Sequence, residues 1–126
     1  MDTAKLEKIM RDTIDAFNRH DADAFASLYS DEVVAYDPQY IEPLKGKEAI
    51  RKDIQDFFTA FPDVHSEVIN SLMSGDQLAF EVEVTGTHKG PLVTPGGDIP
   101  PTNRKMKFLG SRVMKVNSEG LLIACN

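Results

Sequence analysis

The 126-residue sequence contains a single cysteine, Cys125, and no tryptophan. One cysteine excludes an internal disulfide and any metal site built on paired cysteines, and it is typical of a reducing compartment. No apolar run approaches the ~18 residues of a membrane span. The first residues also lack the continuous apolar stretch of a signal peptide. We therefore expect a cytoplasmic protein without a membrane partner.

Basic residues are in the minority. Lysine and arginine number 14 against 20 aspartate and glutamate residues, which gives a formal net charge of -6. Binding to nucleic acid or to an anionic membrane requires a basic face that offsets phosphate charge. The only basic cluster, Arg104, Lys105 and Lys107, is small and is typical of a solvated strand face. We expect no nucleic-acid partner.

Motifs for metals, phosphates and nucleophilic serines are also missing. His20, His65 and His88 are far apart in the sequence and form no short-spaced ligand motif. No glycine-rich loop precedes a helix, as phosphate binding would require, and no Gly-x-Ser-x-Gly elbow occurs. The sequence therefore predicts neither a metal nor another cofactor.

Apolar residues make up 41% and charged residues 27%, which is ordinary for one folded domain spanning residues 1–126. Apolar spacing of three and four predicts a helix over residues 3–19. A shorter helix capped by Asp21 follows. The pattern breaks at Ser30-Asp31. A third helix starts near residue 47 and is stopped by Pro62, with Glu48 and Lys52 spaced for an i,i+4 ion pair.

The second half alternates apolar and polar residues, which is typical of strands. Strands are predicted over residues 33–36, 64–73, 78–84, 105–116 and 121–125, and residues 39–46 and 89–102 are predicted to be loops. The second loop holds four of the seven prolines and is therefore stiff. The resulting fold class is α+β: three N-terminal helices packed on a curved, mainly antiparallel sheet that leaves a cone-shaped cavity.

His88 is the first candidate for chemistry. In the strand over residues 78–84 the even positions are apolar, and continuing the alternation puts Gly86 and His88 on the buried face. There His88 can reach a ligand at the edge of the loop and relay a proton. In the alternative, a bulge at Gly86 reverses the parity and leaves His88 exposed or hydrogen-bonded in the core.

Two other charged residues also stand out. Asp37 ends a strand beside Tyr36 and Pro38, where a desolvated carboxylate can act as a general base; Asp-Pro is equally a turn opener. Arg112 occupies an even position on an otherwise apolar strand, where it either binds a carboxylate or enolate or pairs with an acidic neighbour.

Aromatic residues supply the remaining candidates. Phe57, Phe58 and Phe61 form one stripe on the third helix, which either belongs to the core or lines a deep apolar cavity. Together with Arg112, the candidate substrate-binding residues are Phe17, Tyr40, Phe57, Phe58, Phe61 and Phe80.

Four motifs carry a resemblance to a known family. They are Asp37-Pro38, Gly46-Lys47-Glu48-Ala49-Ile50, Thr87-His88-Lys89-Gly90 and Pro100-Pro101-Thr102-Asn103-Arg104. With the order of elements, they resemble the SnoaL-like polyketide cyclases, which are related to ketosteroid isomerase within the nuclear-transport-factor-two-like superfamily. The resemblance covers nearly the whole chain.

The resemblance implies a cone-shaped α+β barrel, a homodimer formed through the sheet, and acid/base catalysis without a cofactor. Asp37 matches the proton-abstracting aspartate of ketosteroid isomerase, and His88 matches the SnoaL-like histidine. Thr13 and Ser111 stand where ketosteroid isomerase has its tyrosine and its protonated acid, and the last strand lacks the acidic residue of the cyclases.

The functional hypothesis is therefore an isomerase, cyclase or dehydratase acting on a small carbonyl compound of polyketide or steroid type, with Asp37 as base and His88 as polarising or proton-relaying group. Two alternatives of other classes stay open. One is a non-catalytic binding protein for an apolar small ligand. The other is a dimeric interaction module, which a cavity filled by phenylalanine side chains would indicate.

Overall fold

The computed structural model describes residues 2–38 and 40–126. Among these residues, three helices lie in the first half of the chain: α1 (Thr3–Asn18), α2 (Ala22–Ser27) and α3 (Lys47–Ala60). All three helices were predicted. Asp2 and Asp21 cap α1 and α2 by accepting hydrogen bonds from the amides of Lys5 and Ala24.

Within the described residues, six strands form one sheet. Their bounds are β1 (Tyr29–Ala35), β2 (Leu44–Lys45), β3 (His65–Ser74), β4 (Gln77–Thr87), β5 (Lys105–Val116) and β6 (Leu122–Cys125). The order across the sheet is β2-β1-β6-β5-β4-β3. Every neighbouring pair is antiparallel except β1 and β6, which are parallel. The predicted α+β class with a mainly antiparallel sheet is therefore confirmed.

The sheet is open. Its order ends at β2 on one edge and at β3 on the other, and these two strands do not pair with each other. The prediction of a barrel was therefore wrong in this respect, because the helices rather than a closing strand complete the enclosure. The sheet and the helices together surround the core and a cavity.

Three local predictions were wrong. The expected break at Ser30-Asp31 lies inside β1, which starts at Tyr29; the register against β6 shifts between Tyr29 and Val34, so the polar residues occupy an irregular stretch. The predicted loop over residues 39–46 contains β2, and Gln39 lies outside the described residues.

The third concerns an ion pair on α3. Glu48 contacts Arg51 at 3.1 Å instead of Lys52, whose ammonium contacts Asp56 at 3.0 Å.

The long β4–β5 pair carries most of the inner face. Its register runs from Gln77 opposite Lys115 to Thr87 opposite Lys105, with Phe80 opposite Arg112. On β4, Leu78, Phe80, Val82 and Val84 are buried, as their alternation predicts. Because directly opposed residues share a face, Arg112 belongs to the inner face as well.

Candidate functional site

One cavity of about 360 Å³ opens between the helices and the inner face of the sheet. Its walls are mostly apolar and come from α1, α2, α3, the strands β1 to β6, residues 36–38 and 40, and the loop over residues 88–104. Ligand cavities of this size and composition are typical of small-molecule sites. The predicted site residues among its lining are Phe17, Asp37, Tyr40, Phe57, Phe80 and Arg112.

The remaining predicted residues, His88, Phe58 and Phe61, do not line this cavity. Phe58 and Phe61 are 5% and 8% exposed and belong to the hydrophobic core. The helical stripe is therefore split, since Phe57 faces the cavity while the other two rings pack behind it. The cavity is open rather than filled by phenylalanine.

His88 is buried, which both alternatives for this residue allow, and it does not line the cavity. No register shift occurs at Gly86, so the alternation that puts His88 on the inner face is maintained to the end of β4. Beyond the strand, its ring packs 5.4 Å from the ring of Phe61, and its Nδ1 lies 3.1 Å from the Thr102 hydroxyl. His88 Nε2 is buried without a hydrogen-bond partner among the described residues.

Asp37 reaches the cavity because of the parallel pairing of β1 and β6. The carboxyl ends of parallel strands meet at the same edge of a sheet, and Ala35 is directly opposite Cys125. The Tyr36 amide donates to the carbonyl oxygen of Cys125 at 2.8 Å. Asp37 follows immediately, and both it and Cys125 line the cavity.

Asp53 is a cavity carboxylate that the sequence reasoning missed. It lies on α3, and its Oδ1 accepts a hydrogen bond from the Tyr40 hydroxyl at 2.8 Å. A signal for it exists in the sequence: Asp53 is three residues after Ile50 and four before Phe57, so it shares their face of the helix. Asp56, which contacts Lys52, also lines the cavity.

The environment of Asp53 disfavours its charge. Burial raises the pKa of the Asp53 carboxyl above its ordinary value, and the neighbouring Asp37 and Asp56 carboxylates add to this, whereas the Tyr40 hydrogen bond and Arg112 act in the opposite direction. Burial and Asp53 together raise the pKa of the Tyr40 hydroxyl. Tyr40 therefore keeps its proton and remains the donor.

Arg112 supplies a fixed positive charge to the same cavity. It is half-buried, and its Nη1 lies 3.6 Å from the sulfur of Cys125. Burial by itself would lower the pKa of Arg112. Tyr29 and Cys125, and after them Asp37, raise that pKa above its ordinary value, so the guanidinium stays protonated. One cation and two carboxyls thus act on each other across an apolar cavity.

The two departures from ketosteroid isomerase, Thr13 and Ser111, also line the cavity. The Thr13 hydroxyl donates to the carbonyl oxygen of Ile9 at 2.8 Å, so its proton is engaged within α1. No group of three or more His, Cys, Asp and Glu side chains in residues 2–38 and 40–126 is arranged to hold a metal ion. None of the helices described is long and apolar enough to cross a membrane.

Comparison with known proteins identifies a matching family and several similar solved structures. The family model described as a SnoaL-like domain matches residues 10–124. No curated protein matches the chain. Among solved structures, a candidate SnoaL-like polyketide cyclase from Jannaschia sp. CCS1 superposes with a TM-score of 0.84 at 16% identity, covering 97% of this chain and 83% of that one.

Two further structures are similar. IdmH, a candidate polyketide cyclase from Streptomyces antibioticus, has a TM-score of 0.73 at 21% identity and covers 94% of this chain and 87% of its own. A Mycobacterium tuberculosis protein in complex with estradiol-17β-hemisuccinate has a TM-score of 0.73 at 17% identity, covering 96% and 90%. At such identities the likeness shows the fold.

Proposed function

Because the chain belongs to the family of SnoaL-like domains, we propose that it is a cofactor-free acid/base enzyme acting on a small apolar carbonyl compound. Cyclases, isomerases and dehydratases of this kind share one step, the removal of a proton next to a carbonyl group. The observation that carries the proposal is the convergence of Asp37, Asp53 and Arg112 on one apolar cavity.

In the proposed reaction, Asp37 takes the proton from the carbon next to the carbonyl group. The electron pair of that C–H bond then forms the enolate, whose oxygen carries the new negative charge. Arg112 stabilises this oxygen, since a fixed cation in an apolar cavity is worth more than in water. Asp37, which then carries the proton, returns it to a carbon of the enolate and is restored as a carboxylate. His88 is proposed as a positioning residue for the loop over residues 88–104, because it contacts Thr102 instead of the cavity.

The test uses 2-tetralone in heavy water, because proton abstraction exchanges its α-hydrogens for deuterium whatever the natural substrate is. NMR measures the exchange rate. We expect the wild-type protein to accelerate exchange and Asp37→Asn to reduce that acceleration at least about 100-fold, in line with the usual contribution of a general base. Binding of 2-tetralone should be retained in the variant.

Asp63→Asn is the matched control, because Asp63 is exposed and does not line the cavity. This variant should exchange at the wild-type rate. Undiminished exchange by Asp37→Asn would eliminate Asp37 as the base.

A second candidate function is a non-catalytic binding protein for an apolar ligand. It is favoured by the Thr13 hydroxyl, which donates to Ile9 and therefore offers no proton to an enolate. This alternative predicts that 2-tetralone binds in the cavity without any acceleration of exchange. The same experiment therefore distinguishes the two functions.

We further propose that the protein forms a homodimer through the outer face of the sheet. Leu72 and Val113 are opposite Ala79 on its two neighbouring strands, so these three residues form one apolar row. Leu72, Leu109 and Val113 are exposed by 72%, 69% and 48%, and apolar patches of this kind mark interfaces. Light scattering should give twice the chain mass for the wild type and a monomer for Leu72→Lys/Val113→Lys; a monomeric wild type would contradict the proposal.

A further inference from the structure

We propose that the cavity accepts uncharged ligands and rejects carboxylates, an inference about substrate class that rests on the proposed function. Arg112 suggests the opposite at first, because a guanidinium in an apolar cavity is a common anchor for a carboxylate. The charges around Arg112 decide whether a carboxylate ligand is bound or rejected.

Arg112 is the only lysine, arginine or histidine that lines the cavity in residues 2–38 and 40–126. Three carboxyl groups share the same cavity: Asp37 and Asp53, and also Asp56, whose charge the Lys52 ammonium partly offsets at 3.0 Å. The guanidinium therefore faces an excess of acidic groups, and the net charge of the whole chain is negative as well. An entering carboxylate meets more repulsion than attraction.

The single cation is also already engaged. Tyr29 and Cys125, and after them Asp37, favour the charged form of Arg112 and raise its pKa. Its Nη1 additionally lies 3.6 Å from the Cys125 sulfur. A ligand carboxylate would have to compete with the protein's own carboxyls for this charge and would lose its hydration in an apolar cavity.

A carbonyl, ester or phenol group does not meet these costs. Its oxygen can accept a hydrogen bond from Arg112 without a net charge that Asp37 and Asp53 repel. The charge balance therefore favours neutral ligands over anions.

Two probes with the same ring system test this by calorimetry at pH 7: methyl 2-naphthoate and 2-naphthoate. We expect the wild-type protein to bind the ester at least ten-fold more tightly than the carboxylate. A carboxylate that binds as tightly as the ester would overturn the inference.

Variants separate repulsion from simple dehydration of the anion. Asp37→Asn/Asp53→Asn should raise the affinity for 2-naphthoate at least ten-fold and change that for the ester by less than about three-fold, because the repelling charges are gone. Asp53→Asn alone should move the affinity in the same direction and serves if the double variant does not fold. Unchanged affinity for 2-naphthoate in a folded variant contradicts the inference.

Asp23→Asn/Glu119→Gln is the matched control, since it removes two exposed negative charges that do not line the cavity. Its affinities should equal those of the wild type. An equal gain in affinity for 2-naphthoate in this control would assign the effect to net charge and overturn the inference. If none of the probes binds, the proposed function fails together with the inference; if only the order of affinities is reversed, the inference fails alone.

Discussion

Arg112 and His88 are two basic residues of the inner sheet face with different surroundings. Both belong to the continuous β4–β5 register or directly follow it. Arg112 lines the cavity beside Asp37 and Asp53, whereas His88 is 7% exposed and packs on Phe61. One strand pair therefore supplies a candidate site at one end and a closed core at the other.

What differs between the two ends is the element on the opposite side. At the His88 end, the C-terminus of α3 lies directly against the chain: the amides of Lys89 and Gly90 both donate to the carbonyl oxygen of Ala60. At the Arg112 end, side chains of α3 and of the segment after β1 line the opposite wall, and the cavity separates them from the sheet. Strand alternation assigns a residue to a face but does not say how near the next layer is.

The largest expected effect is on the free energy of unfolding when one methyl group is added at the His88 end, with the same addition at the Arg112 end as the control. A Cβ at Gly90 would lie within 2.9 Å of the Thr59 carbonyl carbon and nearer still to its oxygen, both backbone atoms that cannot turn away. We expect Gly90→Ala to lower the free energy of unfolding by about 3 kcal/mol or more. Urea unfolding measures the change.

Gly110 lines the cavity and provides the control. The nearest atoms to its added Cβ are side-chain carbons of Phe108 and Val82 at 3.5 Å, an ordinary contact distance. Gly110→Ala should therefore change the free energy of unfolding by less than about 1 kcal/mol. If both variants are equally tolerated, the two ends do not differ in packing.

A smaller effect is expected from truncating His88. His88→Ala should lower the free energy of unfolding by about 2 kcal/mol, because it leaves a void against Phe61 and removes the contact with Thr102. Its affinity for methyl 2-naphthoate, measured by calorimetry, should stay within about three-fold of wild type. Arg112→Met should weaken that affinity at least ten-fold. Equal losses of affinity in the two variants would contradict the view that Arg112 belongs to the ligand site and His88 to the core.

The smallest effects are opposite pH dependences at the two ends. Burial raises the pKa of Asp53, so the folded state binds its proton more tightly than the unfolded state does; this contribution to stability is lost as the pH rises through the folded pKa. Hydrogen bonds from the Thr87 hydroxyl and amide lower the pKa of Asp63. The contribution of Asp63 is present above its unfolded pKa and is lost as the pH falls through its folded pKa.

Urea unfolding between pH 3 and pH 7 checks these signs in Asp53→Asn and Asp63→Asn. Relative to the wild type, Asp53→Asn should gain stability as the pH rises, and Asp63→Asn should lose it. The same sign in both variants would contradict the assignment of the two environments.

The helices and strands could be predicted from the sequence, but which side chains line the cavity could not. Strand β5 begins and ends where its alternation predicts, and Asp21 caps α2 as expected. Asp53 escaped notice because a charged residue within an apolar helical stripe looks like a boundary of that stripe. The position of His88 depends on Phe61 and on the returning loop, which are contacts between residues distant in sequence.

A crystal structure with methyl 2-naphthoate bound tests the central claim most directly, namely that the Arg112 end of the β4–β5 pair is the functional site. We predict that the naphthalene ring occupies the apolar cavity and that the ester carbonyl oxygen lies about 2.7–3.2 Å from a guanidinium nitrogen of Arg112. A ligand bound elsewhere, or one whose carbonyl oxygen accepts a hydrogen bond from His88 Nε2, would contradict the account.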